Sequence, residues 1–276
     1  MTKVVYFSGT GNSLMVAKEL ASRLDGSALV PIVKAIREGR ADADADKLIL
    51  VFPTYLMTVP LPVRQYLALL RPVAAATAPY ITAVATCERK GNMSALTIRK
   101  ILAKKGMALD WYAEVEMPQN SPTGIRPTKG DEGWARYIEA KNTDAFFRTA
   151  EISIAEIARD IAEEKREPVV GGMGRVMLEF LISAAGKNNA TRLNFYSDAT
   201  CDGCGLCERV CPAERIRAGG NAGETIVDWD AKKKCYYCFA CFNACPNQSI
   251  LLKNYAKKDG RYINKTIKVE ELIVRK

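Results

Sequence analysis

The sequence contains no histidine among its 276 residues. Histidine is the side chain that ordinarily changes charge between about pH 5 and pH 8, and it is the commonest metal ligand and the usual base of catalytic triads. Its absence excludes Ser–His nucleophilic catalysis, histidine acid–base chemistry and histidine metal sites. Any proton transfer would depend on Asp, Glu, Lys, Tyr, Cys or a bound cofactor.

Long hydrophobic runs are also missing. A helix that spans a bilayer needs about 20 consecutive apolar residues, whereas the longest apolar stretch, 176–185, is shorter and contains Glu179. The sequence starts at Met1 and leads directly into an apolar strand, without the pattern of a signal peptide. We therefore predict a cytoplasmic protein that does not associate with membranes.

Basic side chains outnumber acidic ones, which gives a formal charge of +9. No nucleic-acid recognition motif accompanies this charge, so a nucleic-acid partner is not expected. Lys232, Lys233 and Lys234 directly precede a cysteine. They either face an anionic cofactor or partner, or they form a solvated surface.

Cysteine, in contrast, is concentrated in one segment. Eight of the nine cysteines lie between residues 201 and 246, where the pattern C-x2-C-x2-C-x3-C-P occurs twice. In bacterial sequences of this kind, each half supplies three thiolates to one [4Fe–4S] cluster and its last cysteine to the other. Zinc sites usually pair two C-x2-C motifs, and disulfides are rare in a reducing cytoplasm. We therefore predict one cluster on Cys201, Cys204, Cys207 and Cys245, and a second on Cys235, Cys238, Cys241 and Cys211.

Upstream of this segment, apolar strands alternate with amphipathic helices. Buried strands are predicted near 4–7, 28–33, 47–52, 80–85 and 109–115, and a long helix near 144–165. This alternation predicts an α/β domain with a doubly wound, five-stranded parallel sheet of order 2-1-3-4-5. Ligands of such sheets bind at the carboxyl ends of the strands.

A polar loop joins the first predicted strand to the first helix. It has the form [ST]-x-T-G-x-[ST] and comprises Ser8, Thr10, Gly11, Asn12 and Ser13. Hydroxyls and backbone N–H groups at the start of a helix form an anion site. The loop is neither a Walker A motif nor G-x-G-x-x-G. An ordinary Gly-Asn turn is the alternative interpretation.

In form and position this loop resembles the phosphate loop of flavodoxins, which cradles the FMN phosphate. The double cysteine pattern resembles bacterial two-cluster ferredoxins, and the order of the two parts resembles the flavodoxin–ferredoxin fusion proteins of anaerobic bacteria and archaea. The resemblance implies FMN and two [4Fe–4S] clusters as cofactors. It also implies a flavodoxin-like domain at 1–167, a connector with a short helix at 168–194, and an α+β ferredoxin domain with a C-terminal tail at 195–276. Within the tail, 266–269 is predicted as a strand.

The resemblance further implies two loops beside the flavin ring, at the ends of the third and fourth strands. Their residues are Pro53, Thr54, Tyr55 and Leu56, and Thr86, Cys87, Gly91 and Asn92. Tyr55 is expected to stack on the flavin or border it. Many relatives have an aromatic or acidic residue where Cys87 stands, so Cys87 is either a small buried residue or a thiol that faces the flavin.

Bound cofactors would offset part of the positive charge. Each [4Fe–4S] core with four thiolates carries about −2, and a flavin phosphate also carries about −2, so the total would fall from +9 to about +3. The basic residues are therefore interpreted mainly as compensation for cofactor charge.

The resemblance implies electron transfer but names no substrate. One hypothesis is an electron carrier, in which clusters and FMN act in series with a low-potential redox partner such as a ferredoxin-like donor or acceptor. A second is a flavin-dependent reductase whose small-molecule substrate binds over the FMN beneath residues 119–142, where Arg126, Lys129 and Trp134 are the most ligand-like. A third is a non-redox module. Whether the chain is an enzyme, and whether it forms a homodimer, stays open.

Overall fold

The computed structural model describes residues 1–55, 57–72, 78–91, 93–121, 137–168, 195–219, 227–252 and 260–274, with the backbone alone at 140–142. Contacts divide the described residues into two compact units. The first comprises those within Met1–Ser8, Asn12–Met117 and Phe146–Lys187. The second comprises those within Gly9–Gly11, Pro118–Ala145 and Asn188–Lys276. Gly9–Gly11 thus belongs to the same unit as the cysteine-rich segment, although the predicted domain 1–167 would include it. The predicted domain limits at 167 and 195 stay a prediction.

The first unit is built on alternating strands and helices. In chain order they are β1 (Thr2–Tyr6), α1 (Asn12–Arg23), β2 (Ser27–Pro31), α2 (Ile32–Glu38), β3 (Ala41–Asp42), β4 (Lys47–Pro53), α3 (Leu61–Leu69), β5 (Leu70–Arg71), β6 (Tyr80–Cys87), α4 (Ser94–Ala103), β7 (Trp111–Glu116) and α5 (Ala140–Ala162). The N-terminal residues of α5 belong to the second unit.

The main sheet has five parallel strands in the order β2-β1-β4-β6-β7. The two-residue strands β3 and β5 pair only with each other among the described strands. With these two set aside, the order is 2-1-3-4-5, and the predicted doubly wound sheet is confirmed. The carboxyl ends of β1, β4, β6 and β7 therefore lie along one edge of the sheet.

Alternate residues of the buried strands face two helical layers. On one face, Ile49 and Val51 of β4 belong to the same core cluster as Leu20 of α1 and Ile154 and Ile161 of α5. The intervening residues of β4 are also fully buried and point to the other face; they are Leu48, Leu50 and Phe52. Burial on both faces explains why the strands are continuous apolar runs in the sequence.

Several boundaries differ from the predicted ones. The strand expected at 28–33 ends at Pro31, because Ile32 and Val33 begin α2 and bury their side chains there. The strand expected at 80–85 continues through Thr86 and Cys87, since Cys87 still pairs in parallel with Glu116 of β7. Thr86 and Cys87 therefore lie in a strand and not in the loop after it.

The second unit is a small α+β fold. Its elements are β8 (Phe195–Ser197), α6 (Leu206–Arg209), β9 (Ile216–Ala218), β10 (Val227–Trp229), α7 (Ala240–Ala244), β11 (Ile250–Leu252) and a 3-10 helix (Val269–Leu272). β9 pairs with β10 and β8 pairs with β11, both antiparallel. The core includes Phe195, Ile216, Phe239 and Phe242. The predicted C-terminal α+β ferredoxin-like fold is confirmed.

The prediction of a strand at 266–269 is wrong. Thr266 lies in a turn, where its backbone N–H donates to Asn264 Oδ1 at 3.0 Å, and the 3-10 helix follows. Glu271 Oε1 accepts from the Lys268 backbone N–H at 3.0 Å, which closes the first turn of this helix. Local side-chain hydrogen bonds therefore prevail over the β-branched composition of this segment.

Within the described residues, no helix is long and apolar enough to cross a membrane. The short helix predicted in the 168–194 connector lies outside the described residues.

Candidate functional site

Four cysteines line a cavity of the second unit that we call the first cysteine cavity. They are Cys201, Cys204, Cys207 and Cys245, the set predicted for one cluster. The cavity has about 310 Å³ of space free of protein atoms, part of it open to solvent. Cys204 is exposed, whereas Cys207 is buried. Cys245, from the second half of the repeat, thus lines the same cavity as three cysteines of the first half. Its role as a cluster ligand stays a prediction.

The other four cysteines of the repeat line the second cysteine cavity, which has about 370 Å³ of free space. They are Cys211, Cys235, Cys238 and Cys241. Cys211 and Cys238 are buried, and the aromatic residues Phe195, Trp229 and Phe239 also line this cavity. An apolar lining excludes water, which is one of the factors that tune an iron–sulfur cluster.

The two halves of the cysteine repeat have the same unusual backbone conformation. Left-handed φ values occur at Gly203, Gly205 and Glu214 in the first half, and at the equivalent Tyr237, Phe239 and Gln248 in the second. A left-handed residue that carries a Cβ is strained by about 1 kcal/mol or more. In the second half, Tyr237 and Phe239 have this strained conformation at the positions where the first half has glycine. The backbone around the cysteines therefore has the same conformation in both halves.

Backbone N–H groups point at two of the cysteine sulfurs. Cys245 Sγ accepts from Ser249 N at 3.2 Å, and Cys235 Sγ accepts from Tyr237 N at 3.5 Å. Such bonds stabilise the thiolate form and are typical of the surroundings of cluster ligands.

Burial opposes ionisation of several of these thiols in the absence of iron. Burial, followed by a neighbouring N–H bond and nearby cysteines, leaves the pKa of Cys207 raised to about 12, and burial also raises the pKa of Cys204, Cys235, Cys238 and Cys241. Thiolate ligands must lose their protons on metal binding. The buried thiols of each cavity therefore need the positive charge of bound iron to become thiolates.

The residues present fit iron–sulfur clusters. Each cavity is lined by four thiols, which is the number of cysteine ligands that a [4Fe–4S] cluster takes. Trp229 Nε1 is buried and has no hydrogen-bond partner among the described residues, although Trp229 lines the second cysteine cavity. An indole N–H is a donor only, so a cluster sulfur would satisfy it.

Charged residues differ between the two cavities. Asp202 lines the first cavity, and its Oδ1 accepts from Cys204 N at 3.1 Å, which lowers the pKa of this carboxyl. Arg215 lines the second cavity, and its Nε donates to the carbonyl of Asp230 at 3.0 Å. Burial raises the pKa of Cys235, and the positive charge of Arg215 acts in the opposite direction.

The predicted phosphate loop lies partly in each unit. In the first unit, Ser13 lies in the first turn of α1, and its hydroxyl bonds to that of Thr86 at 2.7 Å. The first turn of α1 carries no carboxylate. An uncompensated positive helix end fits an anion such as a phosphate.

In the second unit, Gly9–Gly11 is held by two asparagines. Asn120 Nδ2 donates to Thr10 Oγ1 and to the Cys238 carbonyl, both at 3.1 Å. Asn264 N donates to the Thr10 carbonyl at 2.8 Å. Because the Thr10 hydroxyl accepts from Asn120, its own proton is directed to another acceptor, which suits an anion.

Gly9 also makes a close backbone approach to a predicted cluster ligand. A Cβ at Gly9 would lie 2.2 Å from the Cys238 carbonyl oxygen, and one at Gly11, where φ is +100°, would lie 2.8 Å from Asn264 Cβ. Both positions therefore require glycine. The loop's contact with the cysteine-rich segment was not foreseen, because nothing local in the sequence signals a contact between residues 9 and 238.

The predicted flavin-ring loops are tied together in the first unit. Thr54 N donates to the Thr86 carbonyl at 2.9 Å, and Met93 N donates to the Met57 carbonyl at 2.8 Å. Tyr55 is half-buried, with its ring edge-on to Phe7 at 6.5 Å. Pro53 ends β4, and Gly91 is exposed with φ +94°. Their contact with a flavin stays a prediction.

Cys87 is buried within the sheet. Its thiol is directed at the Val115 carbonyl of β7 at 3.9 Å, and burial, with Glu114 and Glu116 nearby, raises its pKa to about 12. These features suit a small packed residue, one of the two interpretations left open by the sequence. Leu56, Asn92, Arg126, Lys129 and Trp134 lie outside the described residues, as does most of the 119–142 segment.

Residues 194–264 match the 4Fe-4S dicluster domain family. A search of the curated proteins found no match. Several solved structures are similar over the N-terminal part. A flavodoxin from the domain Archaea is 14% identical with a TM-score of 0.32, and the alignment covers 57% of this chain and 98% of that one.

Two bacterial structures give similar values. A flavodoxin of Streptococcus pneumonia TIGR4 is 15% identical with a TM-score of 0.33, covering 56% of this chain and 98% of that one. An FMN-dependent NADH-azoreductase from Bacillus anthracis str. Ames Ancestor, in complex with FMN, is 10% identical with a TM-score of 0.33, covering 59% and 100%. At these values the fold assignment depends on strand order. The chain therefore contains a parallel sheet of order 2-1-3-4-5 and, after it in the sequence, a segment that matches the 4Fe-4S dicluster domain family.

Proposed function

We propose that this protein is an iron–sulfur flavoprotein that transfers electrons between two [4Fe–4S] clusters and FMN, in series with a low-potential redox partner. The observation that carries the proposal is the grouping of eight cysteines into two cavities of four, each with one cysteine from the other half of the repeat. Clusters exchange single electrons and FMN accepts one or two, which couples one-electron to two-electron chemistry.

The chain's own residues would hold these groups and keep water away. The cysteines bind iron, the N–H groups of Tyr237 and Ser249 stabilise thiolates, and apolar side chains line the cavities. The start of α1, with the hydroxyls of Thr10 and Ser13, would bind the flavin phosphate. The loops after β4 and β6 would border the ring. With no histidine, proton exchange at a reduced flavin depends on other groups.

Cofactor content tests the proposal directly. Anaerobic reconstitution of the full chain with iron, sulfide and FMN should yield about eight iron and one FMN per chain. Absence of flavin after supplementation would contradict the flavoprotein assignment, and absence of iron would contradict the cluster assignment.

A matched pair of variants tests the ligand sets. Cys211→Ala should abolish the cluster built on Cys235, Cys238 and Cys241, whereas Cys245→Ala should abolish the other. Each variant should keep one electron paramagnetic resonance (EPR) signal of the reduced protein, and the two retained signals should differ. Loss of the same signal in both variants would contradict the crossed assignment.

A further inference from the structure

The two cysteine cavities are built from equivalent halves of a repeat, but their charged neighbours have opposite signs. Asp202 follows Cys201 directly, lines the first cavity and bonds to the Cys204 backbone N–H at 3.1 Å. At the equivalent place in the second half, Tyr236 follows Cys235. The charge that lines the second cavity is the guanidinium of Arg215.

Arg215 is fixed in place within the second unit. Its Nε donates to the Asp230 carbonyl at 3.0 Å, so the guanidinium is anchored on one side by a neutral backbone group. The same side chain lines the second cysteine cavity, as Cys235 does. Arginine keeps its positive charge at any pH at which the protein is folded. A permanent positive charge therefore lies at the wall of the second cavity.

Reduction of a cluster adds a negative charge to it. A nearby cation or a hydrogen bond to a ligand sulfur stabilises the reduced form and raises the reduction potential, whereas a nearby anion lowers it. Burial acts in the opposite direction, because a low dielectric disfavours the more highly charged form. At the second cavity, the same low dielectric strengthens the attraction of Arg215, whose side chain lines the cavity, so we expect the effect of its charge to prevail.

We propose that Arg215 and Asp202 set the two clusters at different reduction potentials, with the cluster of the second cysteine cavity the more easily reduced. The inference rests on the proposed function, since it requires both clusters to assemble. One electron from an external low-potential, one-electron donor, shared between the two sites, then resides mainly beside Arg215. No proton moves and no bond forms or breaks.

The test is an EPR-monitored redox titration of the anaerobically reconstituted full chain. In the wild type we expect two distinct potentials. Arg215→Gln should shift the higher potential to a more negative value and leave the lower one unchanged, and Arg215→Lys should restore part of the shift. Asp202→Asn should shift the lower potential to a more positive value, by less than Arg215→Gln shifts the higher one, because the exposed carboxylate of Asp202 is partly screened by solvent. Because burial also affects the potential of a cluster, Arg215→Lys, which keeps the charge, separates the effect of the charge from that of packing.

Lys232→Gln is the matched control for Arg215→Gln. It removes the same charge three positions before Cys235, but from an exposed side chain that is not among the residues lining the second cavity. Iron content is measured for every variant, so that failed cluster assembly, which would count against the proposed function, is distinguished from an unchanged potential. Two equal potentials in the wild type, or an equal shift in Lys232→Gln and Arg215→Gln, would overturn the inference.

Should Arg215→Gln fail to assemble its cluster, Arg215→Lys and Asp202→Asn still decide the matter. Lysine keeps the charge but loses the fork of donors, so a smaller negative shift confined to the higher potential supports the inference. No shift in either of these two variants overturns it.

Discussion

Among single residues, Cys87 is one whose role is indicated more clearly by its surroundings in the structure than by its position in the sequence. Its position in the sequence allows either a small buried residue or a thiol that faces the flavin. The structure places it in β6, buried, with the thiol directed at the Val115 carbonyl. Its pKa is raised from 9.0 to about 12, chiefly by burial.

We predict that Cys87 resists alkylation in the folded holoprotein. A pKa raised by about three units lowers the thiolate fraction near pH 8 roughly 1000-fold, and only the thiolate reacts. Iodoacetamide labelling, followed by peptide mass spectrometry, should modify Cys87 only after denaturation. Rapid labelling of the native protein would instead favour the accessible thiol at the flavin edge.

The same shift has a consequence for stability. Because the folded-state pKa is the higher one, the buried neutral thiol contributes stability below pH 9, and this contribution declines as the pH rises from 9 to 12. In Cys87→Ala, the stability should decline less over this alkaline range.

Gly9 is a second position at which a single substitution is expected to have a clear effect, here on the stability of the protein. In Gly9→Ala the new Cβ would lie 2.2 Å from the Cys238 carbonyl oxygen, a backbone atom that cannot rotate away. We expect a loss of about 2 kcal/mol or more in the free energy of unfolding. The measurement is anaerobic denaturant unfolding of the holoprotein, with EPR of the clusters.

Gly219→Ala is the control, because a Cβ there has nothing within 4 Å. Its stability should stay within about 0.5 kcal/mol of the wild type. Equal stability of the two variants would show that Gly9 does not pack against Cys238.

At the scale of the element, parallel pairing and helix ends position the candidate site. The strands were predictable because parallel strands buried on both faces form continuous apolar runs, as in β1 and β4. The ends of the strands were less predictable. Pairing with β7 extends β6 through Cys87, and no local pattern in the sequence reveals this pairing. The tail near Thr266 was mispredicted for the converse reason, since β-branched residues do not form a strand without a partner.

Lys47 links β4 to the end of α5, and its replacement is an element-scale test. Its Nζ donates to the carbonyls of Ile161 and Ala162 at 3.0 and 2.8 Å and pairs with Glu164 at 3.4 Å. A cation there satisfies terminal carbonyls and opposes the helix dipole. Lys47→Met should cost about 1–2 kcal/mol of stability and accelerate amide hydrogen exchange in the last turn of α5.

Lys34→Met serves as the comparison, because Lys34 is exposed and its pairing with Glu38 is long, at 4.0 Å. Its effect should be within about 0.5 kcal/mol. If Lys47→Met behaves in the same way, the cap on α5 contributes little.

At the scale of the whole molecule, the fold class and the two cysteine groups could be predicted from the sequence, but the charges that distinguish the groups could not. Strong periodicity and a repeated motif are local signals, and each specifies one kind of unit. Arg215 and Asp202 carry no such signal, because their importance arises from what lies beside them after folding. Asn120, which bonds to both Thr10 and Cys238, was missed for the same reason.

In the proposed function, electrons pass between clusters and flavin within one chain. Flash photoreduction of the anaerobic holoprotein measures this transfer, with cluster and flavin absorbance followed over a range of protein concentrations. We expect cluster reoxidation and flavin reduction to proceed at one shared rate that does not depend on protein concentration. A flavin reduction rate that rises in proportion to protein concentration, or clusters and flavin that change independently, would contradict it.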